Sequence, residues 1–324
     1  MGVPPAQAVC GLAPKTQVQV PLGHPQGPEI IWGPFVFSGG GMPSHFLPFS
    51  ALAPTGRCDN MPGMTSGTPN SRVDTSVPHS ARVYDFLLGG KDNYLVDQEV
   101  AEALPPEGRV AALQNRAFMH RAVAYLAEQG TDQFLDIGTG IPTAPNLHQI
   151  VQGINPKARI VYVDNDPIVL RHAEALLISH PEGGTEYLQA DVRKPGTILD
   201  AARGFLDFSR PVAVSLIGLL HFLPDDEDPR GIIRTFVDAL PSGSHLVLTQ
   251  GAADIDPDLG AEASDSYAKG GIRVALRTHA EALRFFDGLD LVPPGLVTAS
   301  SWVAGEAPAD PEPSGLYAGV ARIP

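Results

Sequence analysis

Three carboxylates stand at the ends of hydrophobic runs: Asp136 in "FLDIGTGIPT" (134–143), Asp164 in "VYVDNDP" (161–167) and Asp191 in "LQADVRKP" (188–195). Open α/β sheets bind ligands at the carboxyl ends of their strands, so these positions are where chemistry is expected. Asp164 lies about two dozen residues beyond the glycine turn, a distance at which a carboxylate accepts hydrogen bonds from both hydroxyls of a ribose. The other features choose the nucleotide. Asp136 would repel a pyrophosphate, and Gly140 is followed by Ile141-Pro142, so the third glycine of a dinucleotide fingerprint is missing. A cationic ligand with a ribose and no phosphate reverses the electrostatic argument. Each aspartate alone is equally a turn or cap residue after a strand; the three together at this spacing are not accounted for that way.

S-adenosylmethionine has an α-ammonium group, a sulfonium, a ribose and an adenine, and needs no anion cradle. With "LDIGTG", "VYVDNDP" and "ADVRKP" in this order, the chain resembles the class I S-adenosylmethionine-dependent methyltransferases. More narrowly, "SVPHSARVYDFLLGGKDNYLVD", "NRAFMHRAV", "FLDIGTGIPT" and "VYVDNDPIVL" resemble the actinobacterial S-adenosyl methyltransferase family once catalogued as a domain of unknown function. The likeness covers residues 74 to 324. It implies that Gly138 and Gly140 let the backbone approach the cofactor and that Asp136 accepts from its amino group. It also implies that Asp164, in the segment with Asn165, holds the ribose, and that Asp191 and the Val192 amide read the adenine edge.

Two further segments carry candidate residues. "LLGGKDNY" follows an apolar helix and is read either as a lid, with Gly89 and Gly90 permitting closure, or as a solvated turn. Lys91 or Arg116 would pair with the cofactor carboxylate. His221, after the fourth strand in "IGLLHFLPDD", is positioned to take a proton from a methyl acceptor; flanked by Leu220, Phe222 and Leu223, it is also a candidate packing residue. His148, His172, His245 and His279 show no metal-ligand spacing, and no metal is expected.

The elements that must position these residues are legible from periodicity. A helix over 79–88 is followed by a longer one over 109–130, with Val110, Leu113, Ala117, Val123 and Leu126 expected on its inner face and Gly130 at its end. Strands and helices then alternate. The strands are "QFLDI", "RIVYVD", "TEYLQA", "PVAVSLIG" and "SHLVLTQ", with helices expected from about 143, over 167–178, 197–202 and 229–240. After a helix near 278–286, "LDLVPPGLV" and "GLYAGVARI" should pair antiparallel at one edge. The expected fold is therefore an α/β, Rossmann-like, mostly parallel sheet with an antiparallel C-terminal edge, helices on both faces and an N-terminal helical cap. Residues 1–72 are rich in proline and glycine without sustained period and are expected to be a disordered extension, with Met64 a possible true start; 73–130 form the cap and 131–324 the cofactor-binding domain.

Composition bounds the partners. A formal net charge of -14, with 22 Lys and Arg against 36 Asp and Glu, argues against nucleic acid and anionic membranes as partners. A small-molecule or protein acceptor remains. Cys10 and Cys58 are the only cysteines, both in the extension, and no run is long enough to span a bilayer, so a cytoplasmic location is expected. Two other functions compete with methyl transfer: non-catalytic binding of S-adenosylmethionine by a regulatory protein, and an NAD(P)-dependent oxidoreductase on a similar sheet.

Overall fold

The computed structural model describes residues 74–176, 178–306 and 314–324. The extension, Met64 and both cysteines lie outside the described residues.

Three helices precede the sheet: α1 (Ser80–Leu87), α2 (Leu95–Glu102) and α3 (Glu107–Glu128). Periodicity predicted two. The missed α2, "LVDQEVAE", has only a weak apolar stripe and is held through Asp97, which accepts from the Tyr94 amide at its start (2.8 Å). The order continues β1 (Gln133–Ile137), α4 (Leu147–Ile154), β2 (Arg159–Asp164), α5 (Pro167–Leu176), β3 (Gly184–Gln189), α6 (Pro195–Ala202), β4 (Ala213–Leu216), α7 (Pro229–Asp238) and β5 (His245–Gly251). It ends with α8 (Pro257–Lys269), α9 (His279–Leu283), β6 (Asp290–Leu291), β7 (Val297–Thr298) and β8 (Leu316–Arg322). The helix expected from 143 begins at Leu147, after a loop carrying Pro142 and Pro145, where Asn146 and Gln149 form a capping box. Helix α8 was not anticipated; Asp256 caps it by accepting from the Leu259 amide.

The strand order is β3-β2-β1-β4-β5-β8-β6, with β7 also paired to β8. Strands β1 to β5 are parallel; β8 runs antiparallel to β5, β6 and β7. The two C-terminal runs thus pair antiparallel at one side of the sheet, as expected. Pro293-Pro294-Gly295 splits the first run into β6 and β7, and β8 is buried between them and β5.

Alternation along the strands divides the core. Leu135, Ile137, Val161, Val163, Val214 and Leu216 face Ile198, Leu199, Ile232 and Phe236 from α6 and α7. Phe134, Ile160, Tyr162 and Ala213 face Phe118, Ala122, Val123 and Leu126 of α3 together with Leu147 and Val151 of α4. The inner face of α3 differs from the expected one. Val123 and Leu126 are buried, but Val110 and Leu113 are 47% and 49% exposed. The first half of α3 packs within the cap, where Ala112 joins Val83, Leu87, Val100 and Leu104, and only its second half rests on the sheet, so one stripe cannot describe the whole helix. No helix among the described residues is long and apolar enough to cross a membrane.

Candidate functional site

The order of strands reverses between β1 and β4, the point at which a doubly wound sheet opens a crevice. A cleft of about 370 Å³ lies there, lined by the ends of β1, β2 and β4, the start of α1 and the middle of α3. The turn after β1 forms its floor. Gly138 and Gly140 adopt φ of +73° and +67°, accessible to glycine at little cost. A side chain at Gly138 would also meet Leu219, 2.9 Å from the added carbon, whereas Gly140 faces open space. The Gly138 and Thr139 amides donate to the Val163 carbonyl, tying the turn to β2.

Asp136 sits beside Ser215 in the β1–β4 register, and the Ser215 hydroxyl donates to its Oδ1. Burial pushes its carboxyl up to about 6, against the opposing effect of this bond and of the Arg116 charge. Arg116, from α3, also lines the cleft; its Nη2 donates to the Thr143 carbonyl and to that of Pro145 (2.8 Å), and its Nε is buried without a partner. The cleft therefore holds a carboxylate short of a cation next to a guanidinium with a spare donor. An α-amino acid zwitterion supplies what both lack, so the residues present fit the methionyl end of S-adenosylmethionine.

Asp164 ends β2 and turns back: its Oδ2 accepts from the Gly140 amide (2.8 Å) and its Oδ1 from the Asp166 amide (2.9 Å). Burial raises its carboxyl from the ordinary value, partly offset by those amides. Each oxygen keeps a lone pair for a hydroxyl, and Asn165 lines the cleft beside it. At the end of β3, Ala190, Val192 and Arg193 line the cleft, while the Asp191 carboxylate accepts from the Arg193 amide (3.0 Å) and from Nη1 of the same residue (3.3 Å). Arg193 reaches on to Glu227 (2.7 Å).

Sequence reasoning missed the way the cap is fastened. Arg82 of α1 is buried between Asp97 (3.5 Å) and Asp166 (3.1 Å), and Asp97 accepts from the His79 amide (2.9 Å). Asp166 is thus shared between the loop after β2 and the cap. "HSAR" and "DNDP" supplied the charges, but nothing local says that residues 84 positions apart meet.

The other predicted residues lie elsewhere. Gly90 and Lys91 do not line the cleft. Gly89 has φ of +83°, and a side chain on Gly90 would land 2.0 Å from Asp85 Oδ1; Asp85 accepts from the Asp92 amide and from Asn93 Nδ2. The double glycine therefore has a local cause, the wrapping of 90–93 around a carboxylate. His221 faces a second cavity, of about 780 Å³, on the other side of Tyr84 and Asn115. Burial, reinforced by Arg277, lowers its imidazole to about 4, so the ring is neutral at physiological pH. Among the described residues, no group of three or more His, Cys, Asp or Glu could hold a metal ion.

A mostly parallel sheet in this order, with an antiparallel C-terminal side and a cleft over β1 and β4, is the fold of the class I methyltransferases. The chain belongs to the S-adenosyl methyltransferase family, which it matches over residues 66–324. It is similar to a protein of the former domain-of-unknown-function family 574 from Streptomyces avermitilis, with 48% identity and a TM-score of 0.74 over 78% of this chain and 100% of that one. It is also similar to a candidate methyltransferase from Thermobifida fusca, with 40% identity and a TM-score of 0.71 over 80% of this chain and 99% of that one. No curated protein matches. The cofactor is S-adenosylmethionine; neither alternative, the oxidoreductase or the non-catalytic binder, is favoured.

Proposed function

We propose that the protein methylates a small-molecule acceptor and holds its cofactor through the cleft residues, with the facing pair of Asp136 and Arg116 as the observation that carries the assignment. Asp136 receives the ammonium and Arg116 Nε the carboxylate of the methionyl end. Arg116 takes the place offered to Lys91, which is exposed and away from the cleft. Asp164 holds the ribose hydroxyls with the free lone pairs of its two oxygens. Val192 packs on the adenine, and Asp191 shapes that rim through Arg193.

The bound cofactor supplies an activated methyl group whose departure leaves a neutral thioether. The protein's task is then mostly positioning. Helix α1 and the Arg82 ion pairs hold the cap over the cleft and restrict water. A hydroxyl or amine acceptor must also lose a proton. His221 serves through Nε2, the ring nitrogen not sealed by packing; Nδ1 is buried without a partner. Low basicity does not prevent this, because a heteroatom that has gained a methyl is a far stronger acid than the free acceptor.

Calorimetry tests the cofactor assignment. S-adenosylmethionine and its demethylated product should bind and NAD(P) should not, and Arg116→Met should weaken binding of both sulfur compounds. Tight NAD binding, or an unchanged dissociation constant in Arg116→Met, would refute the arrangement.

A further inference from the structure

Tyr84 and Asn115 line both cavities, and they are the wall between them. The Tyr84 hydroxyl gives its proton to the Ala112 carbonyl (3.1 Å), so it can only accept from Asn115, whose Nδ2 lies 2.9 Å away. That bond fixes the amide. Asn115 Oδ1 is left buried with no hydrogen-bond partner, in a residue only 2% exposed. An orphaned acceptor at such a place costs stability unless a ligand supplies a donor.

The rest of the second cavity is mainly apolar. Leu104, Leu259, Leu276 and Tyr267 line it, and Val110 and Ile255, respectively 47% and 38% exposed, stand on its walls. Besides Tyr84 and Tyr267, its ionisable groups are Glu107, Asp256 and the neutral His221, and among the described lining residues no lysine or arginine occurs. A carboxylate, phosphate or sulfate group would find no counter-charge.

We infer that this cavity is the acceptor site and that it takes an uncharged, largely apolar small molecule, such as a phenol or aryl amine, whose O–H or N–H donates to Asn115 Oδ1 at the wall facing the cofactor cleft. Asn115 is a positioning residue for the acceptor, and the half-exposed Val110 and Ile255 belong to the site rather than to an unfinished core. The reading of this cavity as an acceptor site rests on the proposed placement of the cofactor in the first cleft.

Probes of graded chemistry test it on the full chain. In the presence of saturating S-adenosylhomocysteine, 2-naphthol should bind, 2-naphthoate should bind at least tenfold more weakly, and 2-methoxynaphthalene, which has no donor, roughly three- to tenfold more weakly. Ala263→Phe, which fills the cavity from α8, should weaken naphthol binding more than tenfold and leave S-adenosylhomocysteine affinity within about twofold; Val110→Trp, at a half-exposed wall position, is a second block that does not require repacking of a core. Asn115→Ala should erase the preference of naphthol over its methyl ether. Displacement of naphthol by S-adenosylhomocysteine, equal binding of naphthoate, indifference to both blocking variants, or a preference unchanged in Asn115→Ala would each overturn the inference. Failure of S-adenosylhomocysteine itself to bind would instead overturn the cofactor placement, a result read independently of naphthol.

Discussion

The cleft over β1 and β4 and the cavity behind Tyr84 share a wall but solve opposite problems. The cleft collects Asp136, Asp164, Arg116 and Arg193 on strand ends and on α3, each already engaged by backbone amides or carbonyls, a hydroxyl or another side chain. The cavity collects Leu104, Leu259, Leu276 and Val110 from the cap, α8 and the segment after it, with few polar groups. Charges that recognise a fixed zwitterion need rigid supports, and strand ends supply them. An apolar chamber built between helices sets its selectivity by shape and by the absence of charge. On the proposed assignment, cofactor and acceptor are thus held by different parts of one fold.

The sharpest way to break this division is to release the cap. Arg82→Ala should take the guanidinium from two buried carboxylates, leaving them only backbone amides and His79, and cost about 3–5 kcal/mol of stability, seen as a lower melting temperature, with losses of ligand binding at both sites because α1 contributes to each. An unchanged melting temperature would mean that the cap is held by its apolar cluster alone.

Removing charge from the cleft should spare the cavity. Asp136→Ala is expected to weaken S-adenosylmethionine binding by about 2–4 kcal/mol in calorimetry, since it leaves the ammonium without its carboxylate, while the cavity keeps its affinity for naphthol. The same residue predicts a pH profile. Its carboxyl lies near 6 in the free protein because burial disfavours the anion, and an ammonium ligand would restore the anion. Binding should therefore release a proton below pH 6, and the dissociation constant should rise by up to about tenfold for each pH unit below that point. For the ligand-free fold the sign is the reverse of a salt-bridged carboxylate. A raised value means that the folded state holds the proton more tightly, so this group's contribution to stability falls as pH rises from about 4 to 6. Asp136→Asn should flatten both dependences; a profile unaltered by it would assign the titration to another group.

Asp164→Ala should cost roughly 1.5–3 kcal/mol of cofactor affinity, the scale of hydrogen bonds to a charged acceptor. Because Asp164 also receives the Gly140 and Asp166 amides, a modest fall in melting temperature should accompany it. A cofactor dissociation constant equal to that of the unaltered protein would move the ribose contact to a neighbour.

The smallest effect concerns 88–94. If this segment closes on the cofactor, its amide exchange should slow when S-adenosylmethionine is added, more than in α7, and Lys91→Ala should weaken binding without changing ligand-free stability. Equal exchange in both states would leave the Asp85 hydrogen bonds as the whole reason for the double glycine.

The sequence by itself determined the sheet and the floor of the cleft. Alternation in "FLDI" and "RIVYVD", the G-x-G turn and the terminal aspartates are local patterns, and a parallel sheet leaves few ways to join them. Periodicity failed where packing is divided. Helix α3 serves two clusters and shows no single stripe over its length, and α2 buries only Val100 and Ala101 as apolar residues beside the polar contacts of Asp97. Only the tertiary structure could show that Arg82 reaches Asp166, that Arg116 lines the same cleft as Asp136, that His221 lines a different cavity, and that Asn115 stands between two cavities. Those relations join residues from 27 to more than 80 positions apart in some of their contacts, and no spacing rule spans such distances because the fold, not the chain, brings them together.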